Sequence, residues 1–191
     1  MIAMNKISSR LVLPRNTVLA RFDVLEYRLC LTINQTSRRE VVRCFFAGIS
    51  RLGDGVFWYV LLAMLVIQGP AEQLAAAQMA ATALVGVVIY KLLKGSLVRE
   101  RPFIAHRDIQ CGCPPLDRYS FPSGHTLQAV LFTTLALAWF PALAPVLLPF
   151  TVLVALSRVV LGLHYPTDVV CGALIGYGLA QASLAWWPAL A

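Results

Sequence analysis

Apolar runs of about 20 residues, separated by short polar breaks, fill most of this chain and leave it few folds to adopt. A helix needs roughly 20 mostly apolar residues to cross a bilayer, and inside lipid only helices and closed barrels satisfy their own backbone. Five runs qualify or nearly so: Val41 to Gly69, Gln73 to Leu93, Gly124 to Phe140-Pro141, Leu143 to Leu161 and Thr167 to Trp187. The first is clean only from Val56 to Ile67. Its helix must therefore begin earlier and shelter Arg51 and Asp54, whose i,i+3 spacing lets them pair. Gly69-Pro70 ends it. The second run is rich in Ala, which permits close helix packing, and Trp186-Trp187 suits an interfacial belt. The expected fold class is all-α, an integral membrane bundle of about five transmembrane helices with an N-terminal interfacial helix.

Composition agrees. Hydrophobic residues make up 59% of the chain and charged residues 13%, where an ordinary globular domain has about half and about a quarter. A net charge of +7 would elsewhere suggest nucleic acid. Here the basic residues flank apolar spans, so anionic lipid headgroups are the better partner. The run from Leu11 to Ile33 is interrupted by Arg15, Arg21, Asp23, Glu26 and Arg28. It reads as a helix lying in the membrane interface, and the first forty residues, basic throughout, form no clean apolar stretch of signal-peptide type. Two units follow: a basic interfacial segment over residues 1–40 and a transmembrane unit over 41–191. Five cysteines, mostly within apolar runs, do not form a disulfide framework. Cys111-Gly-Cys113 lacks the second pair that a zinc site needs and reads as two loop thiols.

Three short segments at the ends of these runs hold groups that grip or attack a phosphate. In Pro122-Ser-Gly-His125, Ser123 is a preferred N-cap. The free N–H groups of the helix that follows form an anion site, Gly124 allows close backbone approach, and His125 stands on the first turn. In Lys94 to Pro102, Lys94 and Arg101 lie seven apart, nearly two turns on a continuing helix. Both then face one side, a point charge and a planar fork for phosphate oxygens, before Pro102 stops the helix. Lys91 and Arg99 read as a snorkelling basic fringe. In Ser157 to Asp168, Arg158 near a membrane helix end needs an anionic partner. His164 precedes a helix that Pro166 starts, and Asp168, one turn in, can reach back to a His164 ring nitrogen and orient it as a nucleophile.

Each segment alone has a plain structural explanation: a helix cap, a basic fringe, a capping Asp. Two of the three histidines nevertheless fall in these segments, and the expected helix order brings all three to one face. Together they make a phosphoryl-transfer set in which side-chain cations neutralise the phosphate.

The pattern Lys94-x6-Arg101-Pro102, Pro122-Ser-Gly-His125 and Ser157-Arg158-x5-His164-x3-Asp168 resembles the three signatures of the type 2 phosphatidic acid phosphatase (PAP2) superfamily, with no departure at the named positions. Arg51-Leu-Gly-Asp54-Gly also resembles small bacterial members. The resemblance implies that His164 attacks phosphorus and forms a phosphohistidine, that Asp168 holds and polarises His164, and that His125 protonates the leaving oxygen and then helps activate water. It implies phosphate binding by Lys94, Arg101, Ser123, Gly124 and Arg158, and neither a metal nor a cofactor. The expected activity is hydrolysis of a lipid phosphomonoester or diphosphate: phosphatidate, phosphatidylglycerophosphate, or a polyprenyl phosphate or diphosphate. A phosphotransferase would use the same residues, and a non-catalytic lipid-binding or transport protein is the reading from a different class. Haloperoxidases share the anion site, but they are large soluble proteins. No nucleic acid and no obligate protein partner is implied.

The expected location is a bacterial inner membrane, crossed several times. Nine of the 16 Lys and Arg residues lie within residues 1–53, six within 91–118, and the last is Arg158. All sit on the side of the three motifs, so the positive-inside rule puts that face in the cytoplasm. Many bacterial relatives of the family act on the outer face instead.

Overall fold

The computed structural model of the chain describes residues 18–187. Of the run expected to begin at Leu11, residues 11–17 lie outside the described residues, and the rest forms α1 (Val18–Asn34). Then follow α2 (Glu40–Arg51), α3 (Phe57–Val66), α4 (Pro70–Ser96), the short α5 (Pro102–Ala105), α6 (Gly124–Trp139), α7 (Ala144–Val160) and α8 (Pro166–Trp186). Among the described residues there is no sheet, only one bridge pairing Glu100 with Tyr119.

Four rods are long and apolar enough to cross a membrane: Glu40–Val66, which joins α2 to α3, then α4, then Pro141–Val160 with α7, and α8. The expected third span, α6, has 16 residues, about 24 Å at 1.5 Å per residue, against a hydrocarbon core of about 30 Å. It is enclosed by α4, α7 and α8. The central helix therefore borrows its apolar surroundings from its neighbours, and the whole is a multi-pass membrane bundle.

The core gathers around α6. Leu127, Leu131 and Leu135 meet Met79 of α4, Leu147 and Val154 of α7 and Ala180 of α8. The indole of Trp58 in α3 stacks on Phe132, centroids 5.1 Å apart. Small residues set the spacing between α6 and α8: a Cβ at Gly172 would lie 2.5 Å from the Ser123 carbonyl, and one at Gly176 would fall on that of Leu127. The two backbones therefore touch, which fixes the start of α8 against the start of α6. Lipid cannot satisfy buried polar groups, and at the far end these satisfy each other. Trp139 Nε1 donates to Gln78 Oε1 at 2.7 Å, and Gln78 Nε2 to Ser183 Oγ at 3.1 Å.

The rod formed by α2 and α3 kinks at Leu52–Val56, where Gly55 takes φ +122°, a region that strongly favours glycine. The structure corrects the expected Arg51–Asp54 pair: no ion pair joins the two among the described residues, and Asp54 Oδ1 lies instead 3.3 Å from His125 Nε2.

Connectivity does the rest. The turns at residues 67–69 and 141–143 lie at one end of the bundle, and the segments 97–123 and 161–165 at the other. α1 packs beside those segments: Asn34 Nδ2 donates to the carbonyls of Gln110 and Val160, both at 2.9 Å, and Asn34 Oδ1 accepts from the Gln110 N–H at 2.8 Å.

Candidate active site

A cavity of about 410 Å³ opens where α3, α4 and α6 reach the motif end. Lys94, Arg101, Gly124, His125, Arg158 and His164 line its polar part. Ser123 and Asp168 are fully buried beside it and do not line it.

His164 sits in the turn between α7 and α8, 1% exposed. Arg101 Nη1 approaches its Nε2 at 3.2 Å. A guanidinium only donates, so Nε2 carries the lone pair and the neutral ring keeps its proton on Nδ1. That leaves a ring nitrogen with a free lone pair on a residue that lines the cavity. Burial pushes the imidazole well below its ordinary pKa, and the charges of Arg158, Arg101 and Lys94 push it further. The ring is therefore unprotonated at neutral pH.

Behind the ring, Nδ1 faces Asp168 Oδ2 at 3.7 Å. This carboxylate is a helix cap as well as a partner, since its Oδ2 accepts from the Tyr165 N–H at 2.8 Å. Its Oδ1 accepts from Arg99 Nη1 at 2.6 Å. Arg99 is thus no basic fringe: it bridges Asp168 to Glu26 of α1, with Nη2 2.5 Å from Oε2. Sequence reasoning missed both residues. Glu26 looked like one of several charges interrupting an apolar run, and its partners lie 73 and 141 positions away.

The cations that face the cavity come from three segments. α4 ends at Ser96, so Lys94 and Arg101 do not share a helix; Leu97 to Arg101 run outside it and Pro102 begins α5. They converge all the same, because both hold one carboxylate. Asp117 Oδ2 accepts from Lys94 at 2.7 Å, and Oδ1 accepts from Arg101 Nη2 at 2.6 Å. Arg158, 3% exposed, donates through Nη1 to Ser50, while its Nε has no protein partner. The Ser123 hydroxyl accepts the Thr126 N–H at 3.5 Å and pairs with the Thr126 hydroxyl at 2.9 Å. It caps α6, whose first residues, Gly124 and His125, line the cavity with backbone N–H groups that have no intrahelical partner.

Asp117, in the loop before α6, is a second residue that spacing did not reveal. Burial works to raise its carboxyl, but the hydrogen bonds from Lys94 and Arg101 outweigh that and hold it below its ordinary pKa. An ionised carboxylate therefore occupies two cations suited to a phosphate. Asp117→Asn is expected to tighten inhibition by inorganic phosphate about tenfold, the worth of one charge-assisted bond. An unchanged or weaker inhibition constant would make Asp117 a brace for the cations and not a competitor.

In sequence and fold the chain is similar to known phosphatases. A sequence profile of the PAP2 superfamily matches residues 75–191. The decaprenylphosphoryl-5-phosphoribose phosphatase of Mycolicibacterium smegmatis is 35% identical over 126 residues, 65% of this chain and 68% of that protein. The undecaprenyl-diphosphatase of Sulfolobus acidocaldarius is 28% identical over 169 residues, 85% of this chain and 77% of that protein. Among solved structures, Aquifex aeolicus LpxE superposes with a TM-score of 0.73 at 28% identity, covering 83% of this chain and 93% of that one. The transmembrane PAP2-type phosphatidylglycerolphosphate phosphatase of Bacillus subtilis shares the fold, with a TM-score of 0.61 at 21% identity over 90% of this chain and 88% of that one.

Proposed function

The chain belongs to the PAP2 superfamily, as a membrane phosphatase, and from that footing we propose that it hydrolyses a polyprenyl-linked phosphate at this cavity through a phosphohistidine on His164. The observation that carries the reading is the cavity's division into two chemistries. Its polar end holds Lys94, Arg101, Arg158 and both histidines, while its stem runs along Leu62, Ala83, Leu84, Val87 and Phe132 between α3, α4 and α6. A lipid phosphate has that same polarity, and few polar groups at one end of an apolar pocket fix its orientation. Two relatives whose names specify a decaprenyl or undecaprenyl compound favour an isoprenoid tail.

In this reading the phosphate displaces the Asp117 carboxylate and is held by Lys94, Arg101, Arg158 and the first-turn N–H groups of α6, at Gly124, that Ser123 caps. The His164 Nε2 lone pair forms the P–N bond as the P–O bond to the lipid breaks. His125, entering the step as an imidazolium beside Asp54 and the bound phosphate, gives its extra proton to the departing oxygen and is left neutral. Asp168 holds the Nδ1 proton; the 3.7 Å gap closes as the ring gains positive charge. Water, deprotonated by His125, then attacks phosphorus, and the P–N electrons return to His164. The basic residues on the motif face support a site facing the cytoplasm of a bacterial inner membrane.

The purified protein is tested against phosphatidate, phosphatidylglycerophosphate, polyprenyl phosphates and diphosphates, and a soluble phosphomonoester. A polyprenyl-linked phosphate is expected to exceed the soluble ester in kcat/KM by about 100-fold or more, since each buried methylene contributes about 0.8 kcal/mol. Inverted membrane vesicles should turn over added substrate faster than right-side-out ones. No phosphate release from any lipid would refute catalysis, and the reverse vesicle preference would refute the orientation.

A further inference from the structure

His164 is surrounded by positive charge on its cavity side and must itself become positive. Once Nε2 bonds to phosphorus while Nδ1 keeps its proton, the ring is a phosphoimidazolium. Lys94 from α4, Arg101 from the segment after it and Arg158 from α7 all oppose that charge. On the other side stands Asp168 from α8, but its carboxylate is bound to the Arg99 guanidinium at 2.6 Å. Asp168 and Arg99 together carry no net charge. Left alone, that pair would offer the ring little help.

Glu26 alters the sum. It is 5% exposed, and α1 presents it with every carboxylate oxygen in use. Oε2 accepts from Arg99 Nη2 at 2.5 Å. Oε1 accepts from the Thr167 backbone N–H at 3.0 Å and from the Thr167 hydroxyl. Arg99 is further fixed by the Thr167 hydroxyl, 2.8 Å from Nη1, and by the Tyr165 ring, whose centroid lies 4.0 Å from its guanidinium carbon. The same helix touches His164 directly through Cys30, whose Sγ lies 3.9 Å from the His164 carbonyl oxygen. The buried Glu26 and Asp168 and the partly exposed Arg99 between them therefore make a triad of net charge −1 behind the nucleophile.

We infer that Glu26 and Arg99 are positioning residues for the His164–Asp168 pair, and that Glu26 restores, through Arg99, the net negative charge that stabilises His164 as it is phosphorylated. This rests on His164 being the nucleophile. It assigns the N-terminal helix, which lies before residues 75–191, a part in catalysis.

The charge count makes a prediction that a packing role does not. The full-length protein and its variants are mixed with labelled lipid phosphate, quenched in alkali (phosphohistidine survives alkali and not acid), and the rates of phosphoenzyme formation and decay are read separately. Glu26→Gln is expected to slow formation about tenfold, the kinetic equivalent of about 1.4 kcal/mol, with KM within about twofold and decay not slowed. Its steady-state phosphoenzyme falls accordingly. Glu26→Asp keeps the charge and should recover most of the rate. The double variant Glu26→Gln with Arg99→Gln again leaves Asp168 at −1, and should phosphorylate faster than Glu26→Gln alone.

A structural role would change the fraction of active molecules or the melting temperature and leave the two rate constants in their ratio. Wild-type formation rates in Glu26→Gln would overturn the inference, as would a double variant slower than the single one. Absence of alkali-stable phosphoenzyme in the wild-type protein would remove the nucleophile itself, and the inference with it. Phosphoenzyme in the wild type with no effect of Glu26→Gln would remove the inference alone.

Discussion

His164→Ala is expected to abolish phosphate release, by about 10⁴-fold or more, and to leave no alkali-stable phosphoenzyme. The loss should be this large because His125, the other imidazole lining the cavity, serves the leaving oxygen in this reading, and the remaining neighbours cannot attack. Those on the cavity side are Arg101, Arg158 and Lys94, cations that bind a phosphate. KM for the substrate should change far less than kcat, since those cations remain. Wild-type turnover in His164→Ala would defeat the assignment, and a normal kcat with a raised KM would make His164 a binding group.

The same site predicts an acid limit. With His164 as the proposed nucleophile the unprotonated ring is the reactive form, and protonation must overcome both burial and three nearby cations. The acid limb of kcat/KM due to this group therefore falls well below the ordinary histidine value of about 6.5. For stability the sign is the reverse of a salt-bridged histidine. The unfolded chain takes up a proton as pH drops through about 6.5 while the folded site refuses it. His164 thus costs nothing above that value and destabilises the fold progressively below it.

The legible parts of this chain were those whose physics is local. Ser123 caps α6 through the Thr126 N–H three residues on, so the helix start at Pro122-Ser-Gly-His125 could be read directly. Asp168 is four residues from His164, within one helical turn. The apolar runs gave the spans, and α6 alone is short because its neighbours, which a single run does not disclose, supply its surroundings. What stayed hidden depended on chain reversal or on backbone torsion. Arg99 resembles any basic residue at a helix end until α1 brings Glu26 to it. Asp117 lies 23 and 16 residues from the two cations it holds. Arg51 and Asp54 have the spacing of a helical pair, but Asp54 meets His125, 71 residues on, instead. Lys94 and Arg101 converge for a different reason from the one their spacing suggests: the chain leaves the helix and a carboxylate gathers them.

His125→Ala should divide substrates by their leaving groups. The residue stands at the start of α6, its side chain 11% exposed, with Nε2 3.3 Å from Asp54 Oδ1, across the cavity wall from the α7–α8 turn that carries His164. A group so placed can hand a proton to the oxygen that departs from phosphorus and later take one from water. Losing general acid catalysis costs about 10²–10⁴-fold, and the cost scales with how badly the leaving oxygen needs its proton. An alkyl lipid phosphate, whose alkoxide is a poor leaving group, should suffer the full loss in phosphoenzyme formation. An aryl phosphate, whose phenolate departs unaided, should phosphorylate His164 with a much smaller loss and then stall, because the water that must attack has lost its base. The phosphohistidine is therefore expected to accumulate with the aryl ester and not with the alkyl one. Equal losses on both esters, without accumulation, would mean that His125 only shapes the anion site. In that case the proton would have to come from elsewhere, and the two-histidine division of labour would fall.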